Sequence, residues 1–305
     1  MDISNLIPPE QLKSFEENVL GKKPLLLRPA MDNQLPNRDA LWELVQKGYI
    51  TYPSLQIANN GKYQTPSEFA VDIEYSTGTL TGVLIGKEVA DQFLSGKTLV
   101  FNAISRFFPE LSYLCKSIAD RWQCITNANA YLTPPNAKGF SSHFDIHDVF
   151  IIQLSGTKEW TIHEPIFLNN KRIENANLPS ELPPPELELT LTSGDILYLP
   201  TGYIHSAKCT TEESLHITIG VTHISWYDIA RAALKSNKNH KCMLERVPIK
   251  DFSRANLSAS YRETLNVVLQ QSVSEIIDEM NKNGSLSETF SSDAFQIKLP
   301  RISKN

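Results

Sequence analysis

Two histidines and one aspartate of this chain have the types and spacing of a metal site. His143 and Asp145 are separated by one residue, and His205 follows sixty positions after Asp145. Two imidazoles and one carboxylate are the ligands of the facial triad, which leaves open positions on non-haem Fe(II) for a co-substrate and O₂. Residues 143 and 145 of a strand would point to the same face, so the spacing predicts that both reach one metal ion. The third ligand can join them only if a distant strand lies alongside, as in a sheet that closes on itself.

The segment that ends at His205 contains the pattern Gly-x5-Pro-x-Gly-x2-His, with Gly194, Pro200 and Gly202 at its fixed positions. This pattern resembles the second motif of the cupin family. Its residues also predict a local structure, namely a Gly-Asp turn, a short buried strand from Ile196 to Leu199, and a tight reversal that directs His205 inward.

The stretch from Asn129 to Trp160 contains the first histidine, the aspartate, an apolar run, Gly156 and Lys158. It closely resembles the JmjC-domain ribosomal oxygenases, which are Fe(II)- and 2-oxoglutarate-dependent protein hydroxylases. The resemblance covers about residues 20 to 280 and is dense from 125 to 220. It implies a mainly β fold with flanking helices, in which a double-stranded β-helix (the cupin or jelly-roll barrel) forms the JmjC core and a C-terminal helical dimerisation region follows.

The resemblance also implies roles for individual residues. The catalytic, metal-binding set would be His143, Asp145 and His205. Lys158 would pair with the distal carboxylate of 2-oxoglutarate, and Tyr131 and Asn129 would approach this co-substrate. The residue types fit these roles, because a dicarboxylate inside a barrel needs a buried cation and buried polar groups need partners.

Further polar residues are candidates for the surroundings of the site. Thr218 and His216 share a face of a predicted strand, so we expect both to line the cavity, with Thr218 near the co-substrate. Four histidines could lie around the metal ligands, although an ordinary core or surface position is the simpler interpretation of each: His147, His163, His216 and His223. Asp148 would point away from Asp145 on a regular strand, so it is not expected to be a ligand and is instead a candidate for substrate contact at the barrel mouth.

The expected reaction is hydroxylation of a protein or peptide side chain, with Fe(II) as cofactor and with 2-oxoglutarate and O₂ as co-substrates. It would be coupled to oxidative decarboxylation of 2-oxoglutarate to succinate and CO₂. Three alternatives stay open: the same chemistry on a small-molecule or natural-product intermediate, a metal cupin isomerase or dioxygenase that does not use 2-oxoglutarate, and a non-catalytic binding module. Metal cupins that do not use 2-oxoglutarate usually carry His-x-His and, a few positions later, a glutamate. This chain has Asp145 at the position of the second histidine, and Val149 and Phe150 where the glutamate would fall. The complete triad and Lys158 argue against the third.

The composition is that of an ordinary globular chain of 305 residues, 41% hydrophobic and 21% charged, which is enough for a sizeable core. No apolar run reaches the roughly 18 residues of a membrane span, and residues 1–5 do not begin a secretory signal. The formal net charge of −5 gives no general reason to bind nucleic acid. A cytoplasmic protein with reduced thiols is therefore expected, since four cysteines are widely spaced: Cys115, Cys124, Cys209 and Cys242.

Three regions are predicted along the chain: an N-terminal α/β region over 1–122 that packs on the core, the JmjC core over 123–223, and a C-terminal helical region over 224–305. Helices are expected from about residue 9 to 20, 38 to 47, 89 to 96, 102 to 121 with an interruption near Pro109, and 226 to 234. A strand at 24–28 and a hairpin entry at 55–58 complete the N-terminal region. The insertion from about Pro165 to Glu186 is predicted to be a loop over the barrel mouth.

A long amphipathic helix is predicted from Ser258 to Met280, with apolar side chains at spacings of three and four. Its apolar stripe predicts a homodimer, because the resembling oxygenases dimerise through helices after the barrel; packing on its own barrel is the alternative. Those oxygenases also carry a winged-helix domain. Because 25 residues follow Met280, this domain is expected to be absent, and the predicted substrate is a protein or peptide that is not necessarily ribosomal.

Overall fold

The computed structural model describes residues 1–29, 35–137, 140–166, 178–210 and 212–236, and residue 266. The residues up to His223 belong to one compact unit. A second unit begins at Ile224, and most of its described residues form the helix Trp226–Ser236. No helix of the described residues is both long enough and apolar enough to cross a membrane.

Five α-helices and thirteen strands make up the described residues. The helices are α1 (Pro9–Asn18), α2 (Arg38–Gln46), α3 (Gly86–Leu94), α4 (Pro109–Trp122) and α5 (Trp226–Ser236). The strands are β1 (Leu25–Leu27), β2 (Leu55–Asn59), β3 (Lys62–Tyr63), β4 (Ala70–Tyr75), β5 (Gly78–Leu84), β6 (Thr98–Phe101), β7 (Cys124–Thr133), β8 (Asp148–Ser155), β9 (Lys158–Pro165), β10 (Pro185–Leu191), β11 (Ile196–Leu199), β12 (Tyr203–Cys209) and β13 (Ser214–His223).

Two antiparallel sheets form the barrel. The larger sheet has eight strands in the order β1-β11-β8-β13-β7-β6-β2-β3, and the smaller has three in the order β10-β9-β12. The strand order is not sequential, so neighbouring strands come from distant parts of the chain, as the double-stranded β-helix requires. Strands β1, β2, β3 and β6 of the N-terminal region extend the larger sheet. The mainly β fold with flanking helices is confirmed, whereas the division of the chain into three regions stays a prediction.

Strand β8 shows how the larger sheet serves two hydrophobic cores. Its side chains alternate between faces. Val149 and Ile151 pack with residues of the smaller sheet in the barrel interior, while Phe150 and Ile152 pack in the core formed with the helices. On that outer side the Phe150 ring lies 5.0 Å from the ring of Tyr198. Because both faces of β8 are buried, its residues 149–152 are apolar without alternation, which explains the continuous apolar run in the sequence.

Tight glycine turns fix the connections beside the site. Gly156, between β8 and β9, has φ +64°, and a Cβ there would lie 1.9 Å from the backbone oxygen of Glu213. Gly202, with φ +87°, completes the reversal between β11 and β12. In the preceding turn, Asp195 accepts hydrogen bonds from the backbone N–H and hydroxyl of Thr192 at 2.8 and 2.9 Å. Glycine is favoured at positions 156 and 202 because residues with a side chain rarely adopt a positive φ.

Most predicted elements of the N-terminal region are confirmed, including the break before Pro109, where a 3₁₀ helix at Ile104–Arg106 precedes α4. The sequence missed β6 and the hairpin of β4 and β5, which is exposed along residues 71–81. Strands β9 and β10 reach into the ends of the predicted 165–186 insertion, of which 167–177 lies outside the described residues. The predicted helix 258–280 lies outside them almost entirely.

Candidate metal and 2-oxoglutarate site

The three predicted metal ligands come together. The possible ligand atoms of His143, Asp145 and His205 all lie within 4.8 Å of one another. His205 Nε2 is 3.7 Å from Asp145 Oδ2, and the two imidazole centroids are 4.4 Å apart. Among the described residues, this is the group of histidine, cysteine and acidic side chains that could hold a metal ion.

Backbone hydrogen bonds hold the segment with the first two ligands against the strand that carries the third. His143 N–H donates to the His205 carbonyl at 3.0 Å, and His205 N–H donates to the His143 carbonyl at 2.7 Å. Gly202 N–H donates to the Asp145 carbonyl at 2.9 Å. The expectation that residues 143 and 145 lie in a regular strand is wrong, because the segment is irregular and only His143 forms a bridge. The bridge itself places His143 beside His205.

Both histidines are held by the nitrogen that does not face the metal set. His143 Nδ1 is 2.9 Å from the Ser141 carbonyl, and His205 Nδ1 is 2.9 Å from the Tyr203 carbonyl. A carbonyl can only accept a hydrogen bond, so Nδ1 carries a proton in each ring and Nε2 is the nitrogen available to a metal. This is the arrangement by which proteins orient an imidazole ligand.

The protonation state of His205 suits metal binding. Burial lowers its pKa below the usual value, and His143 adds to this, although Asp145 acts in the opposite direction. A metal ligand must be neutral imidazole. The enclosed position of His205, 5% exposed, therefore favours the form that binds.

Lys158 is a buried cation without a carboxylate partner among the described residues. It is 3% exposed, and its Nζ donates to Thr133 Oγ1 at 3.1 Å and lies 3.4 Å from His216 Nδ1. Burial lowers the pKa of Lys158 to about 8. Two of its three N–H donors are accounted for, so one remains for an anion.

A polar and aromatic layer surrounds this lysine. The His216 ring stacks on the Tyr131 ring at 4.8 Å with an interplanar angle of 5°, and the Trp160 ring meets His216 edge-on at 5.7 Å. Burial and then Lys158 hold the pKa of His216 well below its usual value, so its neutral Nδ1 can accept a hydrogen bond from the lysine ammonium group. Burial and Asp145 raise the pKa of Tyr131, which therefore keeps its phenolic proton.

One cavity of about 220 Å³ joins the metal set to the lysine. Its lining includes the predicted residues Tyr131, Thr218 and His216 as well as the three candidate ligands. Asn129 lies two residues before Tyr131 on the same face of β7, and its Oδ1 accepts a hydrogen bond from Ala103 N–H at 3.0 Å. It is not among the residues that line the cavity, and its role toward the co-substrate stays a prediction.

Several residues that line the cavity or hold Lys158 were missed from the sequence. Thr133 follows Tyr131 by two on β7, so the period of two could have indicated it. Thr98, whose hydroxyl donates to Thr133 Oγ1 at 3.2 Å, comes from β6, which was not predicted. Tyr63 and Phe140 form an edge-on aromatic pair at 5.7 Å, and no local pattern links the β2–β3 hairpin to the metal segment.

The prediction that Asp148 contacts substrate at the barrel mouth is wrong. Its side chain is fully buried and accepts hydrogen bonds from Tyr198, Thr201 and His223. The expectation that it is not a metal ligand agrees with its absence from the described group. Three of the other candidate histidines have ordinary contacts: His163 Nδ1 bonds the Pro183 carbonyl at 2.7 Å, His223 bonds Asp148, and the ring of His147 packs on Gly220.

The residues fit the cofactor and co-substrate that the sequence implies. Two neutral imidazoles and a carboxylate are suitable ligands for Fe(II), and three protein ligands leave positions open. The unpaired cation of Lys158 in the same cavity matches one end of a dicarboxylate. The fold is a β barrel with a candidate metal site inside it, and residues 102–229 match the family model of the JmjC domain.

Curated proteins similar to this chain include NO66 proteins of two organisms. The bifunctional lysine-specific demethylase and histidyl-hydroxylase NO66 of Dictyostelium discoideum is 27% identical over 285 residues, and the match covers 90% of this chain and 52% of the NO66 chain. NO66 of Aedes aegypti is 25% identical over 313 residues, covering 98% and 46%. The chain thus spans about half the length of these curated relatives.

Solved structures share the fold. That of ycfD from E. coli has a TM-score of 0.59 at 18% identity, covering 87% of this chain and 69% of its own. The E. coli ribosomal oxygenase YcfD in complex with cobalt and 2-oxoglutarate has a TM-score of 0.56 at 18% identity, with coverage of 85% and 67%. The chain is thus similar to the NO66 proteins in sequence and to the E. coli ribosomal oxygenase in fold.

Proposed function

We propose that this protein is an Fe(II)- and 2-oxoglutarate-dependent oxygenase that hydroxylates a protein or peptide side chain. His143, Asp145 and His205 bind the iron. Lys158 binds the distal carboxylate of 2-oxoglutarate, with Tyr131, Asn129 and Thr218 around the co-substrate. The observation that carries the proposal is that one cavity contains both the three-ligand set and a buried lysine with no acidic partner among the described residues.

The chain's own residues position the reactants. When bound, Fe(II) and 2-oxoglutarate supply O₂ activation coupled to decarboxylation of the co-substrate to succinate and CO₂. Lys158 supplies the charge that holds the acid, and Thr133 and His216 hold the ammonium group in place. Val149, Ile151 and Trp160 line the cavity with apolar surface, which excludes water from the reacting centre.

The size of the cavity supports a side-chain substrate over a large metabolite. At about 220 Å³ it is smaller than the roughly 300–1000 Å³ of pockets that enclose drug-sized ligands. A cavity of this size can hold 2-oxoglutarate together with the end of one substrate side chain. The NO66 relatives bear the name histidyl-hydroxylase and demethylase, which supports a protein substrate here as well.

The activity is tested by adding Fe(II) and 2-oxoglutarate to metal-free protein and measuring succinate and O₂ consumption. Slow turnover without substrate is expected, together with 2-oxoglutarate binding that requires the metal. A cupin that does not use 2-oxoglutarate would bind the metal and leave 2-oxoglutarate in solution, and a non-catalytic module would consume no O₂.

The substrate class is tested by incubating the active enzyme with peptide and metabolite fractions from cells of its source. We expect a peptide fraction to stimulate succinate formation and a peptide in it to gain the mass of one oxygen atom. The enzyme without 2-oxoglutarate is the control. Stimulation by the metabolite fraction alone would favour the small-molecule alternative.

We also propose a homodimer formed largely by the helices after Thr222. The apolar stripe predicted between Tyr261 and Met280 would otherwise face water, and large apolar patches normally mark an interface. Light scattering is expected to give about twice the 34.3 kDa of one chain. Charged residues in place of Leu269 and Ile276 should give monomers that keep their metal. A concentration-independent monomer mass for the unaltered protein would mean that the stripe packs on its own chain.

The cytoplasmic location expected from the sequence stays a prediction.

A further inference from the structure

A fully buried carboxylate, that of Asp148, lies close in sequence to the candidate ligands His143 and Asp145. Asp148 is the first residue of β8, three positions after Asp145, and it is 0% exposed. Its Oδ2 accepts from Tyr198 Oη at 2.6 Å and faces His223 Nε2 at 3.2 Å. Its Oδ1 accepts from the N–H of Thr201 at 2.8 Å and from the Thr201 hydroxyl at 2.9 Å. Four donors therefore converge on one carboxylate.

These bonds fix the turn between β11 and β12, on which two metal ligands depend. Thr201 lies at the centre of this turn. The next residue, Gly202, donates to the Asp145 carbonyl at 2.9 Å, and three residues further His205 is bridged to His143. Asp148 thus joins the Pro200–Gly202 turn to the start of β8. The same turn holds the backbone of Asp145 through Gly202 and is followed by His205.

The same network reaches the N-terminal region. Tyr198 Oη accepts from Gly21 N–H at 2.7 Å while it donates to Asp148. The Tyr198 ring packs edge-on against Phe15 of α1 at 4.9 Å. The segment after α1 is therefore joined to Asp148 through two consecutive hydrogen bonds.

Only an ionised carboxylate satisfies this arrangement. Burial raises the pKa of Asp148, but hydrogen bonds from His223, Tyr198 and Thr201 outweigh it, and the pKa lies below the usual value. An amide in its place would turn one acceptor oxygen into an NH₂ donor facing other donors. Buried charges are retained at such a cost only where their hydrogen bonds are complete.

We propose that Asp148 is a positioning residue for the metal site, which it sets by holding the Pro200–Gly202 turn at the spacing that Asp145 and His205 need. The proposal rests on the metal-binding function proposed above. Removing the network should leave the three ligands in the chain but loosen their mutual geometry, so that metal binding weakens although no ligand is lost.

The test compares three variants for Co(II) affinity and for the d–d absorption of bound Co(II), which reports ligand geometry independently of turnover. Asp148→Asn is expected to weaken Co(II) binding about tenfold, the lower end of the loss for partners that orient metal ligands, and to change the spectrum. Thr201→Val removes one bond to Asp148. Tyr198→Phe removes one bond to Asp148 and also the bond from Gly21 N–H. Both variants keep the packing, so they should weaken binding several-fold.

Thr126→Val is the matched control, because Thr126 is also a buried threonine and its hydroxyl donates to the Cys115 carbonyl at 3.1 Å, outside the ligand group. It should lower the melting temperature and leave Co(II) affinity and spectrum unchanged. If Asp148→Asn does not fold, the two milder variants decide. Wild-type affinity and spectrum in folded Thr201→Val and Tyr198→Phe would overturn the proposal. Failure of the unaltered protein to bind Co(II) would instead reject the metal function itself.

Discussion

His205→Ala is expected to abolish metal binding in the micromolar range and, with it, 2-oxoglutarate turnover. The substitution removes one of three ligands, and the described residues offer no other side chain in this group. Removal of a partner that only orients a ligand already costs about 10–100-fold in affinity, so loss of the ligand itself should exceed roughly 100-fold. Calorimetric titration of metal-free protein with Mn(II) or Co(II) measures the effect, and succinate formation follows turnover.

His163→Ala is the matched control for this prediction. His163 is also a buried histidine, 7% exposed, on the smaller sheet, but its Nδ1 bonds the Pro183 carbonyl and it does not belong to the ligand group. Its replacement should lower stability and preserve metal affinity. Wild-type metal content and turnover in His205→Ala would show that the iron lies elsewhere or that the ligand assignment is wrong.

The metal set could be predicted because the positions of its residues follow short-range patterns. His143 and Asp145 are two residues apart, and the glycines and proline before His205 define a local turn. These patterns act within a few residues, so they are visible along the chain. Lys158 has no such local pattern: the turn before it needs glycine because of the backbone of Glu213, fifty-seven positions away, and only the resemblance to a known family indicates its role.

The surroundings of Asp148 could not be predicted, because they depend on sequence separations of about fifty residues or more. Tyr198 and Thr201 lie fifty and fifty-three positions away, and His223 lies seventy-five. Only the closure of β11 and β13 on either side of β8 brings them together. A regular strand from 143 to 148 would have turned Asp148 outward, and the irregular backbone before β8 buries it instead.

The hairpin of β4 and β5 was missed although part of it has a local signal. Val71, Ile73 and Tyr75 alternate with Asp72 and Glu74, the pattern of a half-buried strand, whereas the structure leaves residues 71–81 exposed on both faces. Two strands of this length are marginal on their own. Its base is anchored by Tyr52 N–H, which donates to the Gly82 carbonyl at 2.8 Å.

Lys158 illustrates the conflict between stability and binding. A buried ammonium group with no acidic partner destabilises the metal-free, ligand-free protein, as the low pKa of about 8 indicates. The drop from 10.5 corresponds to roughly 3 kcal/mol, at about 1.36 kcal/mol per pKa unit. A bound carboxylate would remove this cost by pairing with the charge, so part of the binding energy of the co-substrate comes from relieving it.

Lys158→Met is therefore expected to make the ligand-free protein more stable at pH 7 while abolishing 2-oxoglutarate binding. Methionine keeps much of the volume and removes the charge. The stability gain, at most ~3 kcal/mol, should appear as a rise of several degrees in Tm. Its pH dependence follows from the lowered pKa: the cost of the charge is complete below pH 8, fades as Lys158 deprotonates in the folded state, and vanishes near pH 10.5. The two proteins should then converge in stability at high pH.

Metal affinity in Lys158→Met should equal that of the unaltered protein, because the lysine is not a ligand, whereas the apparent Kd for 2-oxoglutarate should rise at least roughly 100-fold, as expected from the ~3–5 kcal/mol lost when one partner of a buried ion pair is removed. Lys158→Arg is the informative companion, since it keeps the charge but adds bulk beside Thr133 and His216. It should retain part of the binding and lose the decline of affinity that the lysine shows above pH 8. Unchanged 2-oxoglutarate affinity in Lys158→Met would contradict the assignment of Lys158 as the carboxylate anchor, and an unchanged Tm at pH 7 would mean that the lysine is charged at no cost to the fold.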